Sequence, residues 1–443
     1  MTRDRRGFIR SSAGAAVAMV GFPHILRRQD DRVVRMGLIG IGDRGTGTLR
    51  LLLRRDDVDV RAICDIDPDA IARGREQLIE AGVENFGVYT GEESYRELAE
   101  REDLDAVLIA TPWQLHAPMA LAAMRNGKWA AVEVPVAVTL EECWELVETF
   151  EETGTPCMMM ENVCYRRDIM AVLNMVREGL FGELIHAQCG YQHDLRFGFK
   201  FRPGVEFGEN ARGPARWRTQ HSVTRNGDIY PTHGIGPVSQ FLDINRGNRF
   251  VTLTSTATKT RGLHQHIVDH GGRDHPNASV EFKLGDVVTT VLNCSRGETV
   301  VLMHDTNLPR PYSLGFRVQG TKGIWQDDLR SVYFEGRSPR PHRWEEAHAY
   351  QETFDHALWK RYTSDAEGAG HGGMDFFVLN GFIESVKRQV PPPIDVYQSA
   401  TWSAISALSE QSIALGNHPV VFPDFTAGKW ATASPDFGFS DEF

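Results

Sequence analysis

A glycine-rich turn between a short apolar strand and a helix is the feature that most constrains the fold of this chain. Val33 to Ile39 is an apolar run typical of a buried parallel strand, and Gly40-Ile41-Gly42-Asp43-Arg44-Gly45 follows it directly. Residues 46–55 then have a helical pattern. Glycines at these positions let the backbone approach a pyrophosphate, and the N-terminus of the following helix favours the anion. The pattern therefore predicts a dinucleotide site at this turn.

An acidic residue at the end of the next predicted strand indicates which dinucleotide. Residues 58–64 form that strand, and Asp65 follows it at the spacing of about 20 residues that such a site requires. The Asp65 carboxylate would accept hydrogen bonds from the adenosine ribose hydroxyls, and Asp65 and Asp67 together would repel a 2′-phosphate. The sequence thus predicts NAD rather than NADP. A glycine-rich turn that binds no ligand is the alternative interpretation.

The chain carries the patterns of two different sheets. Strand signals at residues 105–110, 129–134 and 157–160 alternate with helical segments, which predicts a doubly wound (Rossmann) parallel sheet. After about residue 171 strands of period two follow without crossover helices, which predicts an α+β domain on an open, mostly antiparallel sheet. The predicted strands of this sheet are residues 185–192, 249–256, 279–284, 287–294, 299–304, 313–319 and 332–335, with a long loop at 193–229 and helices near 375–390 and 397–415. The predicted domains are residues 31–170, which bind NAD, and 171–430, followed by a tail at 431–443.

The N-terminal 30 residues have the features of an export signal. Arg5-Arg6 precedes Phe8-Ile9, and a small, weakly apolar run from Ser11 to Pro23 follows, which resembles a twin-arginine signal. That run is too short to span a bilayer, which takes about 20 apolar residues. We therefore expect a periplasmic or exported protein with no membrane span in its mature form; a basic tail is the alternative. The net charge of −11 argues against a nucleic-acid partner.

Two groups of potential metal or redox ligands are interpreted as structural. None of the six cysteines forms a C-x-x-C pair and their neighbours are apolar, so we expect buried small hydrophobic residues. A histidine-rich segment has spacings that match no zinc motif, and Gly271-Gly272 predicts a loop there, so no metal is predicted. Its members are His264, His266, Asp269, His270, Asp274 and His275.

Several longer motifs carry a resemblance to a known family. The Asp65 and glycine-turn pattern, Thr111-Pro112 and Glu133-Val134-Pro135 resemble the Gfo/Idh/MocA oxidoreductases, and a narrower set of motifs is similar to glycoside hydrolase family 109, the NAD-dependent α-N-acetylgalactosaminidases. That narrower set is the runs at 111–119, 133–135, 159–165, 182–191 and 230–234. Sugar dehydrogenases of the wider group usually carry Glu-Lys-Pro where this chain has Glu133-Val134-Pro135. Valine cannot exchange a proton, so the usual dehydrogenase acid-base group is missing.

The resemblance implies a role for individual residues. It implies NAD contacts from the glycine turn and Asp65 and from a second set: Asp43, Arg44, Trp113, Gln114, Leu115, His116, Glu133, Val134 and Asn162. It implies a sugar site lined by Glu161, Tyr191, Arg218, Tyr230, Pro231, Thr232, His233 and Tyr312. It also implies a small carbohydrate or glycan as substrate and a homo-oligomer formed through the C-terminal sheet.

The predicted chemistry is a redox route to hydrolysis. NAD takes a hydride from C3 of the sugar, the resulting ketone acidifies the C2 proton, the C1 aglycone is eliminated, water adds, and C3 is reduced again. We expect Tyr191 to remove the C2 proton and His233 to handle the C3 hydroxyl proton or a neighbouring transfer, although the two roles could be exchanged, and Glu161 to orient His233 or a hydroxyl. Tyr191 could act as a base only with a lowered pKa, from Arg218 or the nicotinamide charge.

Other functions and other roles stay open from the sequence. A sugar or cyclitol dehydrogenase that releases NADH is one alternative, against which Val134 argues. A non-catalytic sugar-binding protein that holds the cofactor is another. Tyr191 could also be an ordinary half-buried sheet residue, and His233 could simply cap the helix after Pro231.

Overall fold

The first of two sheets lies in the N-terminal part of the chain. The computed structural model describes residues 32–443. A six-stranded sheet has all its strands parallel, in the order β3-β2-β1-β4-β5-β6. Its strands are β1 (Val34–Ile39), β2 (Val58–Cys64), β3 (Gly87–Tyr89), β4 (Ala106–Ile109), β5 (Trp129–Val132) and β6 (Cys157–Met159). Strand β4 is buried along its whole length, as expected for a parallel strand covered by helices on both faces.

Helices follow the strands of this sheet, and the side chains of Asp67 and Thr139 cap the first turns of two of them. They are α1 (Asp43–Leu52), α2 (Pro68–Glu80), α3 (Ser94–Ala99), α4 (His116–Arg125) and α5 (Leu140–Thr153). Helix α5 begins with a capping box, in which the Thr139 hydroxyl accepts from Glu142 N and the Glu142 carboxylate accepts from Thr139 N. It ends at Gly154, which has a φ of 70° and so takes the left-handed conformation that closes many helices.

The second sheet is mixed, with nine strands in the order β14-β13-β12-β11-β7-β10-β9-β8-β15. Within the described residues 32–443, β7 and β10 form the one parallel pair of this sheet, and its other paired strands are antiparallel. The strands are β7 (Leu184–Gln192), β8 (Phe250–Ala257), β9 (Val287–Cys294), β10 (Thr299–Asp305), β11 (Arg317–Gly320), β12 (Gly323–Gln326), β13 (Ser331–Phe334), β14 (Glu345–Glu346) and β15 (Val420–Val421). The predicted combination of a parallel Rossmann sheet with an open, mostly antiparallel sheet is confirmed.

One long helix joins the two sheets. The remaining helices are α6 (Arg167–Arg177), α7 (Arg218–Thr224), α8 (Thr232–Phe241), α9 (Gly262–Gly271), α10 (His348–Thr353), α11 (Ala357–Ala366), α12 (Met374–Arg388) and α13 (Val396–Ala414). Serine hydroxyls of α13 accept from the backbone on both sides: Ser399 Oγ from Met159 N at 3.1 Å and Ser412 Oγ from Ser255 N at 2.9 Å. Since α13 is buried on most of its circumference, it shows no amphipathic pattern.

Three sequence-based assignments in the C-terminal half are wrong. Residues 279–284 form no strand; a short 3-10 helix at Pro276–Ser279 leads into a loop, since Pro276 and Asn277 favour a turn over an extended start. The predicted loop in the histidine-rich segment is the helix Gly262–Gly271, which Gly271-Gly272 ends rather than prevents. The strand predicted at 313–319 is only Arg317–Gly320, because Gly315 with a φ of 59° breaks the extended run.

Other sequence-based expectations concern the export signal, a membrane span, metal ions and the cysteines. The predicted export signal lies outside the described residues. Within residues 32–443 no helix has the length and apolar character to cross a bilayer. Over the same residues no group of three or more His, Cys, Asp or Glu is placed to hold a metal ion. All six cysteines are buried thiols, which confirms their interpretation as small core residues.

Candidate active site

The glycine turn has the shape that a pyrophosphate needs. Gly40 has a φ of 90°, which L-residues rarely adopt, and a Cβ on Gly45 would lie 1.8 Å from the Gly40 carbonyl oxygen. A Cβ on Gly42 would meet no atom of the described chain within 4 Å, so the front of the turn is open. The Asp65 carboxylate accepts from Ile41 N at 2.6 Å and from Asp67 N at 2.9 Å. The residues present therefore fit a dinucleotide, with Asp65 fixed against the turn.

Asp43 and Arg44, which follow Gly42, have opposite environments. Asp43 is exposed at the start of α1, and its Oδ2 lies 3.2 Å from Arg202 Nη1 in the long loop. Arg44 points inward: its Nε donates to Glu133 Oε1 at 2.6 Å and its Nη1 donates to Asp375 Oδ2 at 2.7 Å. Although burial opposes it, the charges of Glu133 and Asp375 raise the pKa of Arg44 further above its usual value. The glycine turn is thereby tied to the residue that follows β5.

The turn after β4 supplies two buried rings and two exposed side chains. His116 is buried, and its ring nitrogens lie 2.7 Å from the carbonyl oxygens of Thr111 and Pro135, so it fixes two backbone segments to each other. Gln114 and Leu115 are exposed at the surface of the turn. Trp113 is buried and stacks on Tyr230, with ring centroids 5.1 Å apart. Through Trp113 this turn of the Rossmann layer contacts the predicted sugar site.

Val134 lines the carboxyl edge of the parallel sheet, and its side chain has no proton to exchange. Its side chain is only 4% exposed, between Glu133, which Arg44 holds, and Pro135, which His116 holds. All of these residues follow the carboxyl ends of parallel strands, where ligands of doubly wound sheets bind. Val134 therefore cannot act as the proton carrier at this edge of the sheet.

The predicted sugar-site residues come together in one cluster of rings. Tyr191, near the end of β7, lies 4.7 Å from Tyr230 and 5.4 Å from His233, measured between ring centroids. His233 is in the first turn of α8, which begins at the buried Thr232 with Pro231 as its N-cap residue. Pro231 and Thr232 therefore position His233 in the cluster. Tyr312 is 53% exposed and lies 6.3 Å from Tyr191, at the rim. The structure thus brings these predicted residues together.

A buried carboxylate orients His233. Glu161 follows β6, is fully buried, and its Oε1 lies 2.7 Å from His233 Nδ1. The same oxygen accepts from Val163 N at 3.0 Å, and Oε2 has no hydrogen-bond partner among residues 32–443. Because Nδ1 is engaged by Glu161, Nε2 is the nitrogen of His233 that remains to exchange a proton. This arrangement is the one expected of an oriented general base.

The structure does not supply the lowered pKa that a tyrosine base was expected to need. Burial raises the pKa of Tyr191, and the nearby Arg218 charge opposes this rise without reversing it. Tyr191 OH lies 3.1 Å from His193 Nδ1, and burial lowers the pKa of His193, which favours a neutral ring able to accept a proton. His193 was not identified from the sequence, although alternate residues of a strand share a face and it lies two residues after Tyr191.

Arg218 lies within the cluster, although its place in the long loop made it hard to position from the sequence. It opens α7, is 9% exposed, and its guanidinium lies over the rings of Trp113 at 4.9 Å and Tyr230 at 4.7 Å. Its Nη2 has no hydrogen-bond partner within the described part of the chain. A buried cation with a free donor is suited to a carbonyl or hydroxyl oxygen of a ligand.

Fold and site together define an enzyme of the Rossmann oxidoreductase type, in which Val134 stands at the cofactor edge and a cluster of rings from the second domain contacts Trp113 of the Rossmann layer. Residues 34–161 match the model described as "Oxidoreductase family, NAD-binding Rossmann fold", and residues 165–432 match "Glycosyl hydrolase 109, C-terminal domain". The chain belongs to glycoside hydrolase family 109. It is an NAD-dependent glycoside hydrolase, with NAD as its cofactor.

Individual relatives agree with this assignment. The chain is 51% identical to a glycosyl hydrolase family 109 protein of Stenotrophomonas maltophilia (strain K279a), over 99% of each chain. It is 50% identical to an alpha-N-acetylgalactosaminidase of Tannerella forsythia, over 92% of this chain and 90% of the relative. Among solved structures, levoglucosan dehydrogenase in complex with NADH is similar with a TM-score of 0.64 and 19% identity, over 89% of this chain and all of the other. That last likeness shows the fold alone.

Proposed function

We propose that this protein hydrolyses α-N-acetylgalactosaminides while NAD stays bound and is regenerated in every turnover. The observation that carries the proposal is the pairing of His233 with the buried Glu161 beside Tyr191, at an edge of the Rossmann layer where Val134 cannot exchange a proton. The name of the Tannerella forsythia relative supports the sugar and the anomer.

The proposed proton-transfer role of each side chain follows from which of its atoms are not already hydrogen-bonded. Bound NAD supplies the reversible removal of a hydride from C3 of the sugar, which acidifies the C2 proton. In the proposed reaction His233 Nε2 takes the C2 proton, since Nδ1 is held by Glu161 at 2.7 Å. The ionised side chain of Glu161 stabilises the imidazolium that forms, as in other oriented histidine bases.

Tyr191 and His193 are suited to the C3 hydroxyl. The raised pKa of Tyr191 makes it a poor free base, but its hydroxyl can pass a proton to His193 Nδ1, 3.1 Å away. Tyr191 then accepts the proton of the sugar hydroxyl as the hydride leaves, and returns it when C3 is reduced. This exchange keeps a net charge from accumulating on the buried phenol.

The remaining cluster residues bind the sugar. Arg218 presents its free Nη2 to an oxygen of the ligand, and Trp113 and Tyr230 present ring faces and a phenol hydroxyl to the pyranose. Tyr312, at the exposed rim, is placed to contact the aglycone side. These contacts orient C2 and C3 towards the cofactor, which is the main contribution the protein makes to such a reaction.

A solvent-exchange experiment tests the proposal. Purified protein receives a chromogenic α-N-acetylgalactosaminide in heavy water without added cofactor, and the matched β-anomer serves as the control substrate. Release of the aglycone with deuterium at C2 of the sugar is expected. Stoichiometric NADH without aglycone would instead identify a dehydrogenase, and sugar binding without either product would identify a non-catalytic binding protein. Either of those results would overturn the proposed function.

We further propose that the protein is exported by the twin-arginine route and assembles through its second sheet. Arg5-Arg6 and the run after it support export, and replacing both arginines by lysine should leave the protein in the cytoplasm.

The half-buried Val291, Val301 and Met303 lie on the sheet face opposite to the buried Leu292 and Leu302, which supports assembly. Light scattering of the purified protein gives its mass, and a monomer would contradict the second proposal.

A further inference from the structure

Asp375 is a buried carboxylate that the second domain places against the cofactor layer. It is the second residue of α12 and is 5% exposed. Its Oδ2 accepts from Arg44 Nη1 at 2.7 Å and its Oδ1 accepts from Arg44 Nη2 at 3.1 Å. Oδ1 also accepts from Asn162 Nδ2 at 2.6 Å, and Oδ2 lies 2.8 Å from His371 Nδ1. Both oxygens are therefore engaged, each by two donors.

These contacts join three loops at the cofactor edge. Arg44 belongs to the turn after β1, Glu133 follows β5, and Asn162 follows β6. Arg44 donates to Glu133 with Nε and to Asp375 with the other two nitrogens, while Asn162 donates to Asp375 alone. Asp375 is thus the one residue of this set that touches both Arg44 and Asn162. It lies more than 200 residues later in the chain than either.

The charge on Asp375 is strongly favoured in the folded protein. Burial alone would raise the pKa of Asp375, but the hydrogen bond from His371 and the charge of Arg44 outweigh it and hold that pKa well below its usual range. Removing one member of a buried ion pair leaves the other charge uncompensated, which is costly. Without Asp375, Arg44 would lose two of its three hydrogen bonds to carboxylates and swing towards Glu133 or the solvent.

We propose that Asp375 is a positioning residue for NAD binding, acting through Arg44 and Asn162 rather than by touching the cofactor. This rests on the proposed function, because it takes the bound NAD to lie against Arg44, which follows the glycine turn, and Asn162, which follows β6. Asp375 couples the packing of α12 to the affinity for NAD. The second domain thereby contributes to cofactor retention, besides supplying the sugar site.

The test compares NAD affinity in two matched variants of the full-length protein. Asp375→Asn keeps the shape and removes the charge. Asp355→Asn is the control, because Asp355 is 8% exposed and forms an equally close pair with Arg167, at 3.0 and 2.7 Å, but contacts none of the cofactor-site residues. We expect Asp375→Asn to weaken NAD binding, measured by calorimetric titration, about 10- to 100-fold, as for lost hydrogen bonds between charged groups. Asp355→Asn should change NAD affinity less than about twofold.

Further variants separate positioning from general damage. In an Arg44→Ala, Asn162→Ala background, adding Asp375→Asn should change NAD affinity little, since Asp375 acts through those residues. Unchanged affinity in Asp375→Asn, equal losses in both aspartate variants, or full additivity in that background would each overturn the proposal. Should Asp375→Asn fail to fold, Asp375→Glu, which keeps the charge but displaces it, should still weaken binding several-fold, and wild-type affinity there would overturn the proposal. The titration needs no turnover, so a wild-type protein that binds NAD but cleaves no glycan would refute only the proposed function.

Discussion

The pair of His233 and Glu161 offers the sharpest test of the proposed chemistry, through the variant Glu161→Gln. The glutamine keeps the volume of the buried side chain, and its oxygen can still accept from Val163 N and from His233 Nδ1–H. Its amide nitrogen takes the place of Oε2, which has no partner among the described residues. The orientation of the neutral imidazole is therefore preserved. What is lost is the negative charge that stabilises the imidazolium formed when His233 takes a proton.

The magnitude follows from the nature of that hydrogen bond. A hydrogen bond to a charged group contributes about 1.5–3 kcal/mol, and each 1.36 kcal/mol in the barrier is about tenfold in rate. Because the charge pair forms only when the proton moves, we expect kcat for a chromogenic α-N-acetylgalactosaminide to fall about 10- to 150-fold. KM and the affinity for NAD should change little, since neither depends on protonated His233.

Isotope effects show which proton His233 carries. If His233 takes the C2 proton, slowing this step makes it more fully rate-limiting, and the deuterium isotope effect on kcat with C2-labelled substrate should rise in Glu161→Gln. A rise with C3-labelled substrate alone would instead assign the other proton to His233. The control is Glu298→Gln, a buried glutamate whose carboxylate accepts from Asn248 at 3.2 Å away from the site. A kcat in Glu161→Gln within twofold of the control would refute the role given to the pair.

Three further predictions address other parts of the molecule. Tyr191→Phe keeps the ring packing but should lower kcat by about 10²-fold or more with NAD affinity unchanged, as seen in steady-state rates and titration. Gly42→Ala should weaken NAD binding while the melting temperature is kept, whereas Gly45→Ala, with its Cβ 1.8 Å from a carbonyl oxygen, should lower both. Burial lowers the pKa of Lys200 to about 7 from 10.5, so the unfolded chain binds more protons between those values and stability rises with pH there. In Lys200→Met, denaturant melts should lose this rise; an unchanged slope between pH 7 and 10.5 would count against it.

The parallel sheet could be predicted closely because each of its signals is local. The run at residues 58–64 is a strand with those bounds, and the run at 129–134 is a strand that ends two residues earlier. A short apolar stretch bounded by glycine or proline leaves few alternatives, and the alternation with helices fixes the topology. The second sheet was harder, because many residues of its strands are polar and its strand order depends on pairing between distant segments. The strand predicted at 279–284 is wrong because the pattern of its own residues outweighed the turn that Pro276 and Asn277 favour just before it.

The site was predictable to the extent that its residues lie in recognisable motifs. Tyr191, Tyr230 and His233 come together as expected. His193 was within reach of the period-two rule but was assigned to a loop. Asp375 was not predictable, because its partner Arg44 is 331 residues away and no local pattern links them. The direction of the Tyr191 pKa shift also depends on how deeply the fold buries the phenol, which no sequence pattern reports.

The absence of a titratable side chain at Val134 explains why the two domains divide the chemistry as they do. Valine at this position cannot exchange a proton, and the candidate proton carriers Tyr191, His193 and His233 all belong to the second domain. The Rossmann layer contributes to the proton chemistry indirectly, through Glu161, whose Oε1 lies 2.7 Å from His233 Nδ1. Trp113 of the same layer stacks on Tyr230, so the two domains also meet at the predicted sugar site. It follows that damage to the glycine turn should alter NAD affinity, whereas damage to the ring cluster should alter kcat.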